Sequence, residues 1–226
     1  MRKNRWSIIM FVLLWSVAVA SAQSAVVFED DLTSDSLTPW ELFIPGTQAE
    51  WEYHEEDNGF LRAPMGVENA TAQREIPTVV LGPTSNVTKI IVELDYRLHR
   101  YSPNGYFKLY LLNKDTRDGY GIHVYAGIMD WKYQFINIYR DSSSTLKLTP
   151  GYQEDQTSEW ITIKFVIERN GSLWLYRDGM QVASGRIASG DLTGVPLGEF
   201  NQLVIVDRHN YAGYDFGRIR VSVEEE

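Results

Sequence analysis

The sequence predicts an all-β protein, a sandwich or barrel of antiparallel strands. Short runs that alternate apolar and polar residues recur along the chain, as expected of strands with one face buried. Asn170-Gly171 and Asp178-Gly179 stand between such runs and favour the tight turns of hairpins. After the N-terminal segment no long apolar run with a helical period appears, and about 200 residues remain, enough for one domain with its own core.

Residues 1–22 are predicted to be a secretory signal peptide. Arg2, Lys3 and Arg5 precede an apolar run, and Ala20-Ser21-Ala22 has the small-residue pattern of a cleavage site. The alternative, an uncleaved anchor, is disfavoured because the run is short for a membrane span. We therefore expect a secreted or periplasmic protein, with a single domain at 23–226 and no membrane contact after cleavage.

Ten strands are predicted from the alternating runs. They cover 25–30, 88–100, 105–113, 120–127, 133–140, 160–170, 172–179, 180–187, 201–209 and 216–224. The polar stretches 62–87 and 141–159 are predicted to be loops within the domain, and 188–198 is predicted to be a loop because of its glycines and Pro196.

The strictest alternation lies in IIVELDYRLHR, residues 90–100. One parity of this run is apolar, and the other carries Glu93, Asp95, Arg97 and His99. Because side chains of a strand point alternately to opposite faces, these four groups are predicted to share one face. They would either line a catalytic cleft or simply face water.

Composition limits the classes of partner. The chain has 30 acidic and 21 basic residues, a net charge of −9, and loss of residues 1–22 would remove three of the basic ones. So acidic a surface disfavours nucleic acid and anionic membranes. The chain has no cysteine, which excludes disulfides, thiol catalysis and iron–sulfur clusters. We expect a monomer.

Three stretches carry a family resemblance. WITIKFVIERNGSLWLYRDGMQVASG (160–185) has a tryptophan that opens a strand, a hairpin and a second turn at Asp-Gly, while FEDDLTSDSLTPWELF (28–43) and FNQLVIVDRHNYAGYDFGRIRVSV (200–223) look like opening and closing strands. Together they resemble the concanavalin A-like lectin/glucanase superfamily and its laminin-G-like members. The resemblance implies a two-sheet antiparallel jelly-roll sandwich with a concave face for glycans, but no single activity.

The preferred hypothesis is a non-catalytic carbohydrate-binding module for a poly- or oligosaccharide. Aromatic rings stack on the apolar faces of sugars, and polar groups bind the hydroxyls. The predicted ligand-binding residues are Arg97, Tyr110, His123, Tyr125, Trp131 and Tyr133. Trp160 and Trp174 lie on alternating strands, and for them core packing is the expectation.

Two enzymatic alternatives and one structural alternative stay open. The resemblance implies a Glu-x-Asp-x-x-Glu strand for a glucanase; Glu93 and Asp95 match its first half, but Leu98 replaces the second glutamate. A polysaccharide lyase would use Arg97, His99, Tyr110 and His123 to neutralise and deprotonate a uronate. The third alternative is a structural or adhesion module with a protein partner.

No cofactor is expected, apart from a structural calcium ion that the resemblance makes possible. Glu29, Asp30 and Asp215 would supply its carboxylate oxygens if the opening and closing strands pair. The four histidines have no spacing typical of a catalytic zinc site.

Overall fold

A computed structural model describes residues 24–33, 39–44, 50–100, 105–125, 131–139, 142–150, 159–186, 198–208 and 213–226. These residues form fifteen strands and one 3₁₀ turn, Glu56–Asn58. The strands are β1 (Ser24–Asp30), β2 (Glu41–Phe43), β3 (Glu52–His54), β4 (Phe60–Arg62), β5 (Glu68–Val80), β6 (Val87–Arg100), β7 (Tyr106–Leu112), β8 (Gly119–Tyr125), β9 (Trp131–Tyr139), β10 (Ser142–Pro150), β11 (Trp160–Glu168), β12 (Ser172–Arg177), β13 (Met180–Arg186), β14 (Glu199–Arg208) and β15 (Gly213–Glu225). The described segments contain no helix with the length and hydrophobicity of a membrane span.

The strands form two antiparallel sheets, which confirms the predicted sandwich. Sheet A has the order β13-β12-β11-β6-β15-β4-β3, and β1 also pairs with β15. Sheet B has the order β10-β9-β8-β7-β14-β5-β2. The chain passes from sheet A to sheet B between β6 and β7, so these consecutive strands are not neighbours.

The core lies between the sheets and is aromatic at its centre. Phe107 of sheet B is fully buried and meets three rings of sheet A. Its ring centre lies 4.8 Å from that of Tyr96, 5.0 Å from that of Tyr214 and 5.2 Å from that of Phe216. One continuous cluster of buried apolar residues takes members from both sheets. Burial of this surface is the main force that holds the two sheets together.

The alternation of β6 is confirmed. Ile90, Val92, Leu94, Tyr96 and Leu98 are fully buried in the core, and the intervening polar side chains lie half-buried on the outer face of sheet A. In the middle of sheet A, β6 pairs with β11 on one side and with β15 on the other. The polar face of β6 therefore lies between two strands that supply partners for it.

Two strands lie where loops were predicted. β5 falls within 62–87, and its inward positions include Ala70 and Ala72, whose small side chains give a weak hydrophobic signal. β10 falls within 141–159 and has a polar sequence, SSSTLKLTP. Among the described strands it pairs with β9 alone, at the edge of sheet B, where polar residues and proline are tolerated. The prediction for 188–198 falls, except for Gly198, outside the described residues.

Candidate functional site

A cluster of tyrosines and one histidine covers part of the outer face of sheet B. Strand register places Tyr106 opposite Tyr125, Lys108 opposite His123, and His123 opposite Gln134. Tyr110 follows on the same face of β7. Tyr110 lies opposite Gly121, where an added Cβ would come within 2.2 Å of the tyrosine ring, so this glycine makes room for it. We call the set Tyr106, Lys108, Tyr110, His123, Tyr125 and Gln134 the tyrosine–histidine face.

Hydrogen bonds and ring contacts connect the members of this face. Tyr110 Oη lies 2.9 Å from His123 Nε2, and Tyr125 Oη donates to Gln134 Oε1 at 3.0 Å. The Tyr106 ring stacks on His123 with centres 5.6 Å apart. Lys108 Nζ lies 5.9 Å from the ring centres of both Tyr106 and Tyr110. The face thus combines flat rings, hydrogen-bonding groups and one cation.

Accessibility divides the face into a lower and an upper layer. Tyr110, His123 and Tyr125 are only 7%, 8% and 7% exposed, whereas Tyr106, Lys108 and Gln134 are half-buried. The three half-buried side chains are therefore the first that a ligand would touch. The Tyr110–His123 pair lies beneath them at a distance that permits proton transfer.

The predicted ligand-binding set is partly brought together. Tyr110, His123 and Tyr125 share the tyrosine–histidine face, but Arg97 lies on the outer face of sheet A, because the chain changes sheets after β6. The prediction that Tyr133 faces a ligand on the surface is wrong. Its side chain is 4% exposed and belongs to the core, since it lies opposite inward-facing Val124. Trp131 begins β9, and its side chain lies outside the described residues.

Arg97 and His99 instead surround Asp215 on the outer face of sheet A. Arg97 donates to Asp215 Oδ2 through Nε at 3.0 Å and Nη2 at 2.8 Å. Arg62 donates to both carboxylate oxygens, at 2.7 and 3.1 Å. His99 Nδ1 lies 3.1 Å from Oδ1, an ion-pair distance without the alignment of a hydrogen bond. The proposed lyase set is therefore split, with Arg97 and His99 on one sheet and Tyr110 and His123 on the other.

The surroundings of Asp215 act on its pKa in two directions. Burial of the carboxyl, which is fully inaccessible, opposes ionisation, but the contacts from His99, Arg62 and Arg97 outweigh burial and hold the pKa of Asp215 well below its usual range. A carboxyl with a lowered folded-state pKa stabilises the fold above its unfolded pKa, about 3.9, and loses that contribution as the pH falls further.

We therefore expect the free energy of unfolding to fall below about pH 4, in part through Asp215. Urea unfolding of the wild type and of Asp215→Asn between pH 6 and pH 2.5 measures this contribution. The difference in stability between the two proteins should shrink as the pH falls, because the Asp215 carboxyl takes up a proton in the unfolded wild type while it stays ionised in the fold. A difference that is constant over this range would contradict the assignment.

Glu93 and Asp95 also have partners on neighbouring strands. Asp95 Oδ1 accepts a hydrogen bond from Thr162 Oγ1 at 2.6 Å, and its Oδ2 lies 3.4 Å from Arg218 Nε. Glu93 lies 3.9 Å from Lys164 Nζ. The polar face of β6 is thus a set of cross-strand pairs. These pairs give no support to a glucanase site on β6.

The predicted calcium ligands do not converge. Asp30 accepts hydrogen bonds from Leu32 N at 2.8 Å, from Trp40 Nε1 at 3.0 Å and from Arg74. Asp215 is occupied by two arginines, and Glu29 lies on the outer face of sheet A near Arg218 and Arg220, at 3.9 and 3.7 Å. Guanidinium groups stand where a cation would need to bind. Within the described ranges, no group of three or more His, Asp or Glu side chains is arranged to hold a metal ion.

Trp160 and Trp174 are not core residues, contrary to expectation. Both are half-buried on the outer face of sheet A, since their neighbours Ile161, Leu173 and Leu175 take the inward positions. The Trp160 ring contacts the edge of Phe60 at 5.9 Å and the guanidinium of Arg97 at 4.7 Å. Trp160 shares its parity with Thr162 and Lys164, the polar side of β11, so the alternation itself favours the outer face; the expectation of core packing rested on residue type.

Three members of the tyrosine–histidine face, Tyr106, Lys108 and Gln134, were not predicted as ligand-binding residues. Tyr106 and Lys108 share the parity of Tyr110, so the period of β7 contains the signal that places them together. The position of Gln134 on this face depends on the register between β8 and β9, which no sequence period reveals. Tyr133, its neighbour, was preferred because it is aromatic.

Several solved structures share the fold of this chain, two of them named for carbohydrate binding or recognition. The globular domain of T. cruzi calreticulin has a TM-score of 0.63 at 13% identity, covering 87% of each chain. The Emp47p carbohydrate recognition domain has a TM-score of 0.58 at 10% identity, covering 91% of this chain and 99% of that one. Carbohydrate binding module CBM66 from Bacillus subtilis has a TM-score of 0.55 at 15% identity, covering 84% and 96%. No protein-family model and no curated protein sequence matches the chain.

Proposed function

We propose that the chain is a secreted, non-catalytic module that binds a poly- or oligosaccharide on the tyrosine–histidine face. The observation that carries this proposal is the grouping of three tyrosines, a histidine, a lysine and a glutamine on one face of sheet B. Stacked rings match the C–H faces of pyranoses, and the Lys108 and Gln134 side chains reach hydroxyl groups at the ring edge. Two proteins of similar fold are named for carbohydrate binding, which supports the proposal.

Affinity electrophoresis of residues 23–226 in gels that contain different polysaccharides tests this function. We expect retardation by at least one glycan and about a ten-fold loss of affinity in Tyr106→Ala, equivalent to roughly 1.4 kcal/mol of stacking energy. Tyr176→Ala is the matched control, because Tyr176 is also half-buried but lies on β12 of sheet A. Equal losses in both variants, or no retardation by any glycan, would contradict the proposal and favour a structural or adhesion module.

The Tyr110–His123 contact favours one second function, a polysaccharide lyase. In β-elimination a base removes the proton next to a uronate carboxylate, and an acid protonates the departing glycosidic oxygen. Tyr110 and His123 have the required proximity, and Lys108 would neutralise the carboxylate. Arg97 and His99 have no part in this version, because they lie on the other sheet.

Ultraviolet absorbance from unsaturated sugars distinguishes the lyase from the binding module. If the lyase is correct, uronate polymers give products, and Tyr110→Phe and His123→Ala each lower the rate at least 100-fold. Binding without products in the wild type would exclude the lyase and leave the binding module in place.

A further inference from the structure

A cleft of about 460 Å³ opens on the outer face of sheet A, on the side of the sandwich opposite the tyrosine–histidine face. Its lining comes from five parts of the chain: Asp31 after β1, residues 57–59, one side chain of β6, two side chains of β11, and the irregular part of β15 at Gly217 and Arg218. This volume lies in the range of small-ligand sites, about 300–1,000 Å³. The proposed saccharide site on sheet B does not use it.

Trp160 supplies the aromatic wall of the cleft. Phe60 and Arg97 hold its ring from one side of the cleft, and an added Cβ at Gly217 would lie 3.1 Å from the ring. A side chain at 217 would therefore crowd the tryptophan ring, which would have to shift slightly. The half-buried ring is thus fixed in orientation before a ligand arrives, which reduces the entropy lost on binding.

The opposite wall is a strained segment of backbone. Asp57, Asn58 and Gly59 have positive φ angles of 52°, 70° and 89° in succession. An ion pair of 2.6 Å between Asp57 and Arg97, and a hydrogen bond from Gly59 N to Glu56 O at 2.9 Å, hold the segment in this shape. Backbone in such conformations costs free energy and persists only where the surrounding structure enforces it. Residues of this kind are concentrated at ligand and active sites. Asn58 is exposed at the cleft, and no hydrogen bond of its side chain is seen in the described part of the chain.

Charge defines the class of ligand. Among the described residues that line the cleft, three are acidic, Asp31, Asp57 and Asp95, and one is a cation, Arg218, so an acidic sugar would be repelled. The hydroxyl groups of an uncharged sugar donate hydrogen bonds, which carboxylate and amide oxygens can accept. We propose that this cleft is a second saccharide site, which binds an uncharged pyranose with its C–H face on Trp160 and its hydroxyls on Asp95 and Asn58.

Isothermal titration of residues 23–226 with cellohexaose, mannohexaose and xylohexaose, and with hexagalacturonate as the acidic probe, tests the proposal. We expect binding of at least one neutral probe, no binding of the acidic probe at this cleft, and at least a five-fold weaker neutral affinity in Asn58→Gly. Glycine adopts positive φ without strain, so this variant removes the amide and keeps the backbone shape. Arg117→Gly is the matched control, since Arg117 is exposed, has a φ of 62° and lies in the β7–β8 connection of sheet B.

Trp160→Ala should abolish neutral binding at the cleft. Tyr106→Ala changes the sheet B face and leaves the cleft intact, so its affinity for the neutral probes separates this proposal from the one for sheet B. Neutral binding that is at least five-fold weaker in Asn58→Gly and lost in Trp160→Ala, but kept in Tyr106→Ala, supports the cleft, even if the sheet B site fails. Neutral binding that all cleft variants retain, or no binding of any neutral probe, overturns it. An equal loss of affinity for the neutral probe in Arg117→Gly and in Asn58→Gly also overturns it.

Discussion

Phe107→Ala is expected to lower the free energy of unfolding by about 3–5 kcal/mol. Phe107 is the ring of sheet B that enters the aromatic centre of sheet A, within 5.2 Å of Phe216 and closer to Tyr96 and Tyr214. Its removal leaves a cavity that fully buried neighbours on two sheets cannot all move to fill. Urea unfolding, followed by circular dichroism and by tryptophan fluorescence, measures the loss.

Tyr106→Ala is the control for this variant, because Tyr106 precedes Phe107 and points to the opposite face of β7. We expect it to cost less than about 1 kcal/mol, as is usual for a half-buried surface side chain. If Tyr106→Ala were the more destabilising of the two, the inward and outward faces of β7 would be assigned the wrong way round. The tyrosine–histidine face would then be part of the core.

Asp215→Asn is expected to cost about 3 kcal/mol at pH 7. The asparagine would leave Arg62 and Arg97 beside a neutral group and would turn an amide donor toward one of them. The loss of one partner from a buried ion pair is costly, because the remaining charge has lost water without compensation. Differential scanning calorimetry of the two proteins gives the change.

Asp57→Asn is the matched control, since Asp57 also pairs with Arg97 but its side chain is 51% exposed. Exposed ion pairs contribute about 0–1 kcal/mol, so this change should be nearly neutral for stability. Similar losses in both variants would show that Arg97, rather than the buried carboxylate, is the centre of the network.

The sequence was most informative where a strand has one buried and one polar face. On β6 the period of two identified both the core residues and the polar set, and the structure confirms both. The period of two did not predict β5, where inward Ala70 and Ala72 are too small to give a clear hydrophobic signal. It also did not predict β10, a polar edge strand. Such strands are stabilised by pairing with neighbours, which depends on residues far away in the sequence.

The candidate site was harder to predict, because it depends on which sheet each strand joins. Tyr110, His123 and Tyr125 were correctly grouped, since β7 and β8 are a hairpin and local spacing determines their register. Arg97 was grouped with them wrongly, because nothing in 101–105 reveals that the chain crosses to the other sheet. Trp160 was placed in the core on its residue type, yet it lies outside the core on Arg97 and Phe60.

The position of β15 has a consequence for how the protein acquires its shape during synthesis. This last strand lies between β6 and β4 and also pairs with β1, with Ser24 opposite Glu224. Until residues 213–225 leave the ribosome, β1 lacks its pairing partner and β6 presents an open edge toward the place of β15. Sheet A therefore closes only after this strand has been translated. Once the sheet has closed, the first and last strands lie side by side, and a short linker between residues 24 and 224 would give a circularly permuted chain with the same core.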